Sequence, residues 1–310
     1  MTFRNATRWG RVLRCLAAAG LVAGATTAVA VSLPGSAMAS SPHFAPASTA
    51  AIHPGVMLQN PSGQCTANFI YTSGSKVYIG QAAHCTGKGS PNETDGCTSK
   101  SDPLGTKVEI EGANHPGRLV YNSWLTMRSR HEKDQNLCAF NDFALVEIDP
   151  DDVSKVNPTV PTFGGPTGLR TRGLADGEGI YSYGNSKLRL GLTALSPKKG
   201  ISLGDGGDGR THLVFTVTAG IPGDSGSGYL DSDGRAFGVL STLNLAPAPG
   251  TNGVSDLAKA LKYANNYGEI GEIHLEKGTE PFSAGFLPVD GLASHHESPH
   301  YEKSSGRRGY

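Results

Sequence analysis

Three short runs carry side chains that can act together on a carbonyl group. The run Ile221, Pro222, Gly223, Asp224, Ser225, Gly226, Ser227, Gly228 sets a serine among glycines, where backbone N–H groups can approach a substrate without obstruction by Cβ. An alcohol is a poor nucleophile near neutral pH, so it needs an adjacent base, and the base needs an orienting acid. His84 lies in the run Gln81, Ala82, Ala83, His84, Cys85, beside a cysteine. Asp142 heads the β-type run Asn141, Asp142, Phe143, Ala144, Leu145, Val146. Singly, a histidine is most often structural and an aspartate before a strand is a cap or turn. In the order His84, Asp142, Ser225 they point to nucleophilic acyl transfer.

Other motif matches lack the context their chemistry requires. Residues 204–209 fit G-x-G-x-x-G, but a β-type run rather than a helix follows, and Asp205 and Asp208 would repel a pyrophosphate. His296, Glu297 and His300 fit H-E-x-x-H, but Pro299 interrupts the helical turn that would put both histidines on one face. Residues 231–234 read as a hairpin turn, without the ligand spacing of an EF-hand loop. No metal and no cofactor is therefore expected.

The elements that must position the three residues are β-type. Short runs at 66–71, 77–80, 107–111, 118–120, 143–148, 179–183, 188–195, 211–217, 228–230 and 236–242 recur between Gly, Pro, Asn and Asp turns, the pattern of an antiparallel sandwich or barrel. One helix is expected at 255–267, where Leu257, Leu261 and Ala264 share a face. Among 310 residues, 42 Gly and 19 Pro fit a loop-rich globular chain. The 27 Lys and Arg balance 27 Asp and Glu, which argues against a nucleic-acid partner.

That balance is uneven along the chain. Residues 1–39 hold Arg4, Arg8, Arg11 and Arg14 and no acid, followed by an Ala-rich apolar stretch and Ala37, Met38, Ala39. This is the pattern of a secretory signal cleaved near Ala39, so a secreted, extracellular protein without a stable membrane anchor is expected. The Ala, Gly and Thr content argues against a signal anchor. Beyond the signal, 271 residues carry 23 basic and 27 acidic side chains. Four cysteines remain, Cys65, Cys85, Cys97 and Cys138, which in an exported chain read as two disulfides with three possible pairings. Residues 40–51 read as a linker or short pro-segment, 52–275 as the folded domain, and 276–310 as a flexible tail in which Phe282, Phe286 and Leu287 could still dock locally on the domain.

The chain resembles the chymotrypsin-like serine endopeptidases, particularly their secreted bacterial branch, over about residues 52–270. The resemblance rests on Ala82-Ala83-His84-Cys85, on Asn141-Asp142-Phe143-Ala144-Leu145-Val146 and on Gly223-Asp224-Ser225-Gly226-Ser227. Gly238-Val239-Leu240-Ser241 resembles the strand that pairs with bound substrate, and residues 252–254 the closing strand. The resemblance implies two six-stranded antiparallel β-barrels with the site in the cleft between them and a C-terminal helix. His84 would act as general base, Asp142 would orient it and Ser225 would attack, while the N–H groups of Gly223 and Ser225 form the oxyanion hole. It further implies a supporting role for Ser241 beside Asp142, and bridges joining Cys65 to Cys85 and Cys97 to Cys138. Protein or peptide substrates and a monomer are expected. A homologue that binds without cleaving is the competing class.

Departures from the family bear on specificity. Ala219 stands where trypsin-type members hold an acid, and Leu240 where Glu-specific bacterial members hold a histidine. Leu243 replaces a glycine that usually leaves the pocket open. With Gly253 of the closing strand also counted to the pocket, these residues suggest a narrowed pocket and cleavage after small or medium apolar residues. Members of the family commonly order the oxyanion loop by pairing the acid before the serine with a new N-terminal amine. Asp224 is present but no Ile-Val-Gly-Gly start follows a cleavage site, so an internal cation or a different mature terminus is required.

Overall fold

The computed structural model describes residues 42–90, 93–244 and 249–285. The expected signal segment, the H-E-x-x-H match and residues 286–310 lie outside them. The architecture is all-β with two antiparallel units, as expected.

The first unit comprises β1 (Met57–Asn60), β2 (Gly63–Thr66), β3 (Ile70–Ser73), β4 (Lys76–Gln81), β5 (Lys107–Ile110), β6 (Gly117–Asn122) and β7 (Ala144–Glu147). They pair in the order β3-β4-β7-β6-β5-β1-β2. The expected strand at 66–71 is broken in two, because the chain bends at residues 67–69 and rolls the sheet back on itself. Its bend is held by bonds from Ala67 N–H to Val56 and from Asn68 N–H to Gly80. Leu58, Ile70, Val77, Ile79, Leu119 and Val146 point inward from these strands and, with Ile52 ahead of β1, fill the core.

The second unit contains β8 (Gly168–Leu169), β9 (Gly179–Tyr183), β10 (Pro197–Gly206), β11 (Thr211–Thr216), β12 (Gly228–Leu230), β13 (Arg235–Leu243) and β14 (Thr251–Asp256). Pairing of β12 with both β9 and β13 closes a six-stranded barrel from β9 to β14, and β8 adds in parallel to β13. Ile180, Val214, Tyr229, Phe237, Leu240 and Val254 fill it. Residues 231–234 make the expected hairpin turn, with Gly234 at φ +75° and its N–H on the Asp231 carbonyl.

Three expectations are corrected. Residues 188–195 form two short 3-10 turns rather than a strand, and Leu190 stands 88% exposed at φ +52°. Residues 42–51 are no free linker: Ala45 N–H bonds Val156, and Ala51 and Ile52 N–H both bond Lys155. Residues 276–285 likewise lie on the domain, after β15 (His274–Leu275) adds to β3. There the Phe282 ring packs edge-on against Tyr181.

The helix α3 (Leu257–Tyr267) appears where expected, with Asp256 as its N-cap accepting from Lys259 N–H. Two further short helices, α1 (Ser123–Ser129) and α2 (Gln135–Phe140), precede β7. An apolar seam of Phe69, Phe143, Phe163, Leu230, Val239 and Leu257 joins the two barrels and α3. Among the described residues no helix is long and apolar enough to cross a membrane.

Candidate active site

His84 sits on a 3-10 turn (Ala83–Thr86) that continues β4, and the Cys65–Cys85 disulfide ties this turn to β2. Asn122 secures it from the other side, because its amide donates to the Ala83 carbonyl and the Thr86 hydroxyl while its Oδ1 caps α1. Asp142 lies between α2 and β7. Ser123 Oγ donates to the Asn141 carbonyl and accepts from Phe143 N–H, so the backbone on both sides of Asp142 is held. Ser255 Oγ of the second barrel accepts from Asp142 N–H and donates to the Phe140 carbonyl.

The second disulfide, Cys97–Cys138, anchors α2 just before Asp142. Both bridges join the partners that the family resemblance implies. The Cys97–Cys138 bridge closes a 41-residue separation, for which loop entropy gives about 4 kcal/mol. Replacing both cysteines by serine is expected to lower stability by up to that amount, read as a drop in the urea midpoint with a steeper slope, since the unfolded chain is no longer cross-linked.

The imidazole Nδ1 of His84 meets Asp142 Oδ2 at 2.7 Å, and the His84 backbone N–H donates to Oδ1 at 2.9 Å. Ser241 Oγ donates to Oδ2 at 2.5 Å. Asp142 is only 3% exposed. Burial works to raise its pKa, but the neighbouring imidazole and the hydrogen bonds from His84 and Ser241 outweigh it and hold the carboxyl below its ordinary value. For His84, burial works to lower the pKa, and the Asp142 charge and hydrogen bond raise it on balance above 6.5. An imidazole so placed keeps its proton on Nδ1 and presents a free Nε2 as base.

Ser225 reaches the same cleft from the second barrel. The cleft holds about 720 Å³ and is lined by His84, Asp142, Gly223, Ser225, Ser241 and Leu243, with Trp124 beside the imidazole. The two barrels touch directly behind the serine, where Thr66 N–H donates to the Ser225 carbonyl at 2.8 Å. Gly226, at φ +89°, leaves no room for a side chain there, since a Cβ would meet the Thr66 carbonyl at 2.6 Å. Among the described residues the Ser225 hydroxyl bonds no protein group. Such contacts commonly tighten only with substrate in place. The N–H groups of Gly223 and Ser225 donate to no protein acceptor among the described residues.

Asp224 finds its cations inside the chain. It is fully buried, with Arg189 Nη2 at 2.5 Å and Lys198 Nζ at 3.0 Å, and its Oδ2 also accepts from Ile221 N–H. Burial pushes Lys198 down to about 8, against the pull of Asp224 and with the help of Arg189. No N-terminal amine is needed to neutralise this carboxylate.

The specificity residues are only partly brought together. Leu243 lines the cleft. Ala219 does not, because its carbonyl turns away to accept from Arg189 and Lys198. Gly253 is packed against Thr242, whose Oγ1 would lie 2.3 Å from an added Cβ. In their place stand Gly220 and Asn252. The Asn252 amide, 1% exposed, accepts from Gly220 N–H and donates to the carbonyls of Gly220 and Thr242. It therefore spans two walls of the cleft with both of its N–H bonds already engaged. Sequence reasoning missed Asn252, Arg189, Lys198, Asn122, Ser123 and Ser255, whose partners lie far along the chain; only the need for a cation at Asp224 was a signal.

No protein-family model matches the chain, and no curated protein matches it. Solved structures do. Protease A of Thermobifida fusca is 18% identical with a TM-score of 0.48, covering 74% of this chain and all of that one. The Nocardiopsis protease NAPase is 17% identical with a TM-score of 0.42, over 73% of this chain and 98% of its own. Cellulomonas bogoriensis chymotrypsin is 15% identical with a TM-score of 0.44, over 73% and 98%. At this distance the likeness is one of fold.

Proposed function

We propose that the chain is an exported serine endopeptidase that hydrolyses peptide bonds through an acyl-enzyme on Ser225. The observation that carries this reading is the His84 to Asp142 pair at 2.7 Å, which lines one cleft together with Ser225. His84 Nε2 takes the Ser225 proton as Oγ attacks the carbonyl carbon, and returns it to the leaving amine when the peptide bond breaks. Water then repeats the sequence on the acyl-enzyme. Asp142 stabilises the imidazolium that forms in each half, and the unpaired N–H groups of Gly223 and Ser225 stabilise the oxyanion.

Leu243 and the Asn252 bridge support a shallow pocket, so cleavage follows small or medium apolar residues. Two disulfides and the basic, apolar, A-x-A leader support export. The test is labelling of the secreted protein by a fluorophosphonate, with a peptide library to read the cleaved residue. Labelling is expected in the wild type and absent in Ser225→Ala. A folded but unlabelled wild type would instead make the chain a binding homologue, and dominant cleavage after Arg, Lys or Glu would overturn the pocket.

The base must be neutral to act, so kcat/KM is expected to rise with pH through the His84 pKa, with its midpoint above 6.5. A kcat/KM profile against a peptide ester checks this. Asp142→Asn removes the charge that raises the pKa, so the midpoint of the residual activity moves down.

A further inference from the structure

We propose that Ser186 and Gln64 are positioning residues that fix the direction of the Pro222–Gly223 peptide, so that its N–H and not its carbonyl serves the cleft. The proposal rests on the serine-protease reading above. The C=O and N–H of a trans peptide point opposite ways, and Gly165–Pro166 is the only cis bond among the described residues. Whatever captures the Pro222 carbonyl on one side therefore aims the Gly223 N–H to the other.

The captor is Ser186, whose hydroxyl donates to the Pro222 carbonyl at 2.5 Å. It is buried, and its lone pair is used by Leu188 N–H, so its single proton is directed at that carbonyl. The next carbonyl is held as well. Gly223 O accepts from Gln64 Nε2 at 2.9 Å and from Thr66 Oγ1 at 2.8 Å, while Asp224 N–H turns back to the Ile221 carbonyl. Gly223 itself stands at φ +97°, a conformation from which a glycine peptide can rotate readily. Two successive carbonyls of this pliable stretch are thus tied down from outside the cleft.

Gln64 does more than hold Gly223. Its Nε2 also donates to the Asn185 carbonyl at 3.0 Å and its Oε1 accepts from Lys187 N–H at 3.1 Å. One side chain of the first barrel therefore fixes the turn from which Ser186 reaches. Three residues later the same turn sends Arg189 to Asp224. The turn at 186–189 grips the oxyanion loop at both ends, at the Pro222 carbonyl and at the Asp224 carboxylate, before any substrate arrives.

The test compares wild type with Ser186→Ala, Ser186→Thr and Gln64→Met in the full secreted protein, normalised by active-site titration. The readouts are kcat and KM for a peptide nitroanilide and Ki for the matching peptide boronate. Loss of an oxyanion donor lowers kcat by roughly 10²- to 10³-fold, so Ser186→Ala, which frees that donor to turn, is expected to lower kcat at least about 10-fold. KM should stay within about threefold, and the boronate should weaken by the same factor as kcat. Ser186→Thr should restore most of the loss, and Gln64→Met should shift kcat and Ki in the same direction as Ser186→Ala. A residue that only caps its turn would lower the melting temperature and leave kcat and Ki per active site unmoved; that outcome overturns the proposal. Should Ser186→Ala not fold, unchanged kcat and Ki in Gln64→Met overturn it equally. A wild type that no fluorophosphonate labels overturns the protease reading and this assignment with it, whereas a labelled wild type with unaffected variants overturns the assignment alone.

Discussion

Ser225→Ala should lower kcat by on the order of 10⁶-fold, and Asp142→Asn by about 10⁴-fold, in a protein that still folds. The serine carries the bond that forms, so its removal leaves only the binding and oxyanion contributions. The aspartate acts through the imidazole. An amide at position 142 can donate from its nitrogen, and either its NH₂ faces Nδ1 or its oxygen gives up one of the three donors now gathered on the carboxylate, from His84 Nδ1, His84 N–H and Ser241 Oγ. The first arrangement puts the imidazole proton on Nε2, the atom that must accept from Ser225. Combining the two substitutions should cost little more than Ser225→Ala alone, because the groups act as a unit. Stopped-flow acylation with an activated ester checks these values, and an unchanged melting temperature in Ser225→Ala separates chemistry from folding.

Asp224→Asn should destabilise the protein by about 3 to 5 kcal/mol, because it leaves buried cations without their counter-charge. Lys198 is 0% exposed, and Arg189 is buried beside it. The pH dependence carries a sign. Lys198 titrates at about 8 in the folded chain, below its ordinary 10.5. Between those values the unfolded chain binds more protons, so stability from this group rises with pH across that window. Removing the Asp224 charge pushes Lys198 lower still, so the window opens toward neutral pH and the variant should recover part of its stability on mild alkalisation. Urea unfolding at a series of pH values reads both effects. Activity should fall together with stability, since the Asp224 side chain also holds Ile221 N–H at the start of the oxyanion loop.

The residues of the proposed triad are the part of this chain that sequence reasoning singles out most directly. Chemistry restricts a nucleophile, a base and an acid to few residue types, and each stands in a short run of small or apolar neighbours. Strands such as β7 and β9 were legible because their apolar residues, Leu145 and Val146 in one and Ile180 and Tyr181 in the other, are themselves the core. β10 was not, because Pro197–Gly206 holds Lys, Gly and Asp and is a strand only through its pairing with β9 on one side and β11 on the other. The run at 188–195 misled because Leu188, Leu190 and Leu192 alternate as strand residues do. In the fold that alternation faces outward, and the residue that matters between them is the buried Arg189, whose partner is 35 positions away. Separations of 36, 159 and 32 positions likewise hid the bonds of Ser186, Gln64 and Asn252. A hydrogen bond between remote residues leaves no periodicity to read.

The two strips of chain that composition assigned to linker and tail meet on one side chain. The Asn157 amide, in the connection between the barrels, donates to the Ala45 carbonyl at 2.6 Å and to Thr279 Oγ1 at 2.9 Å. Strand β15 holds the last stretch to the first barrel, while Gly165 N–H bonds Glu280 and Ser283 N–H bonds Phe163 beyond it. Mechanically the two strips are lashed to the connection between the barrels at several points, at Lys155, Val156, Asn157, Phe163 and Gly165, so a pull on either strip is carried to that connection through bonds made outside the barrels.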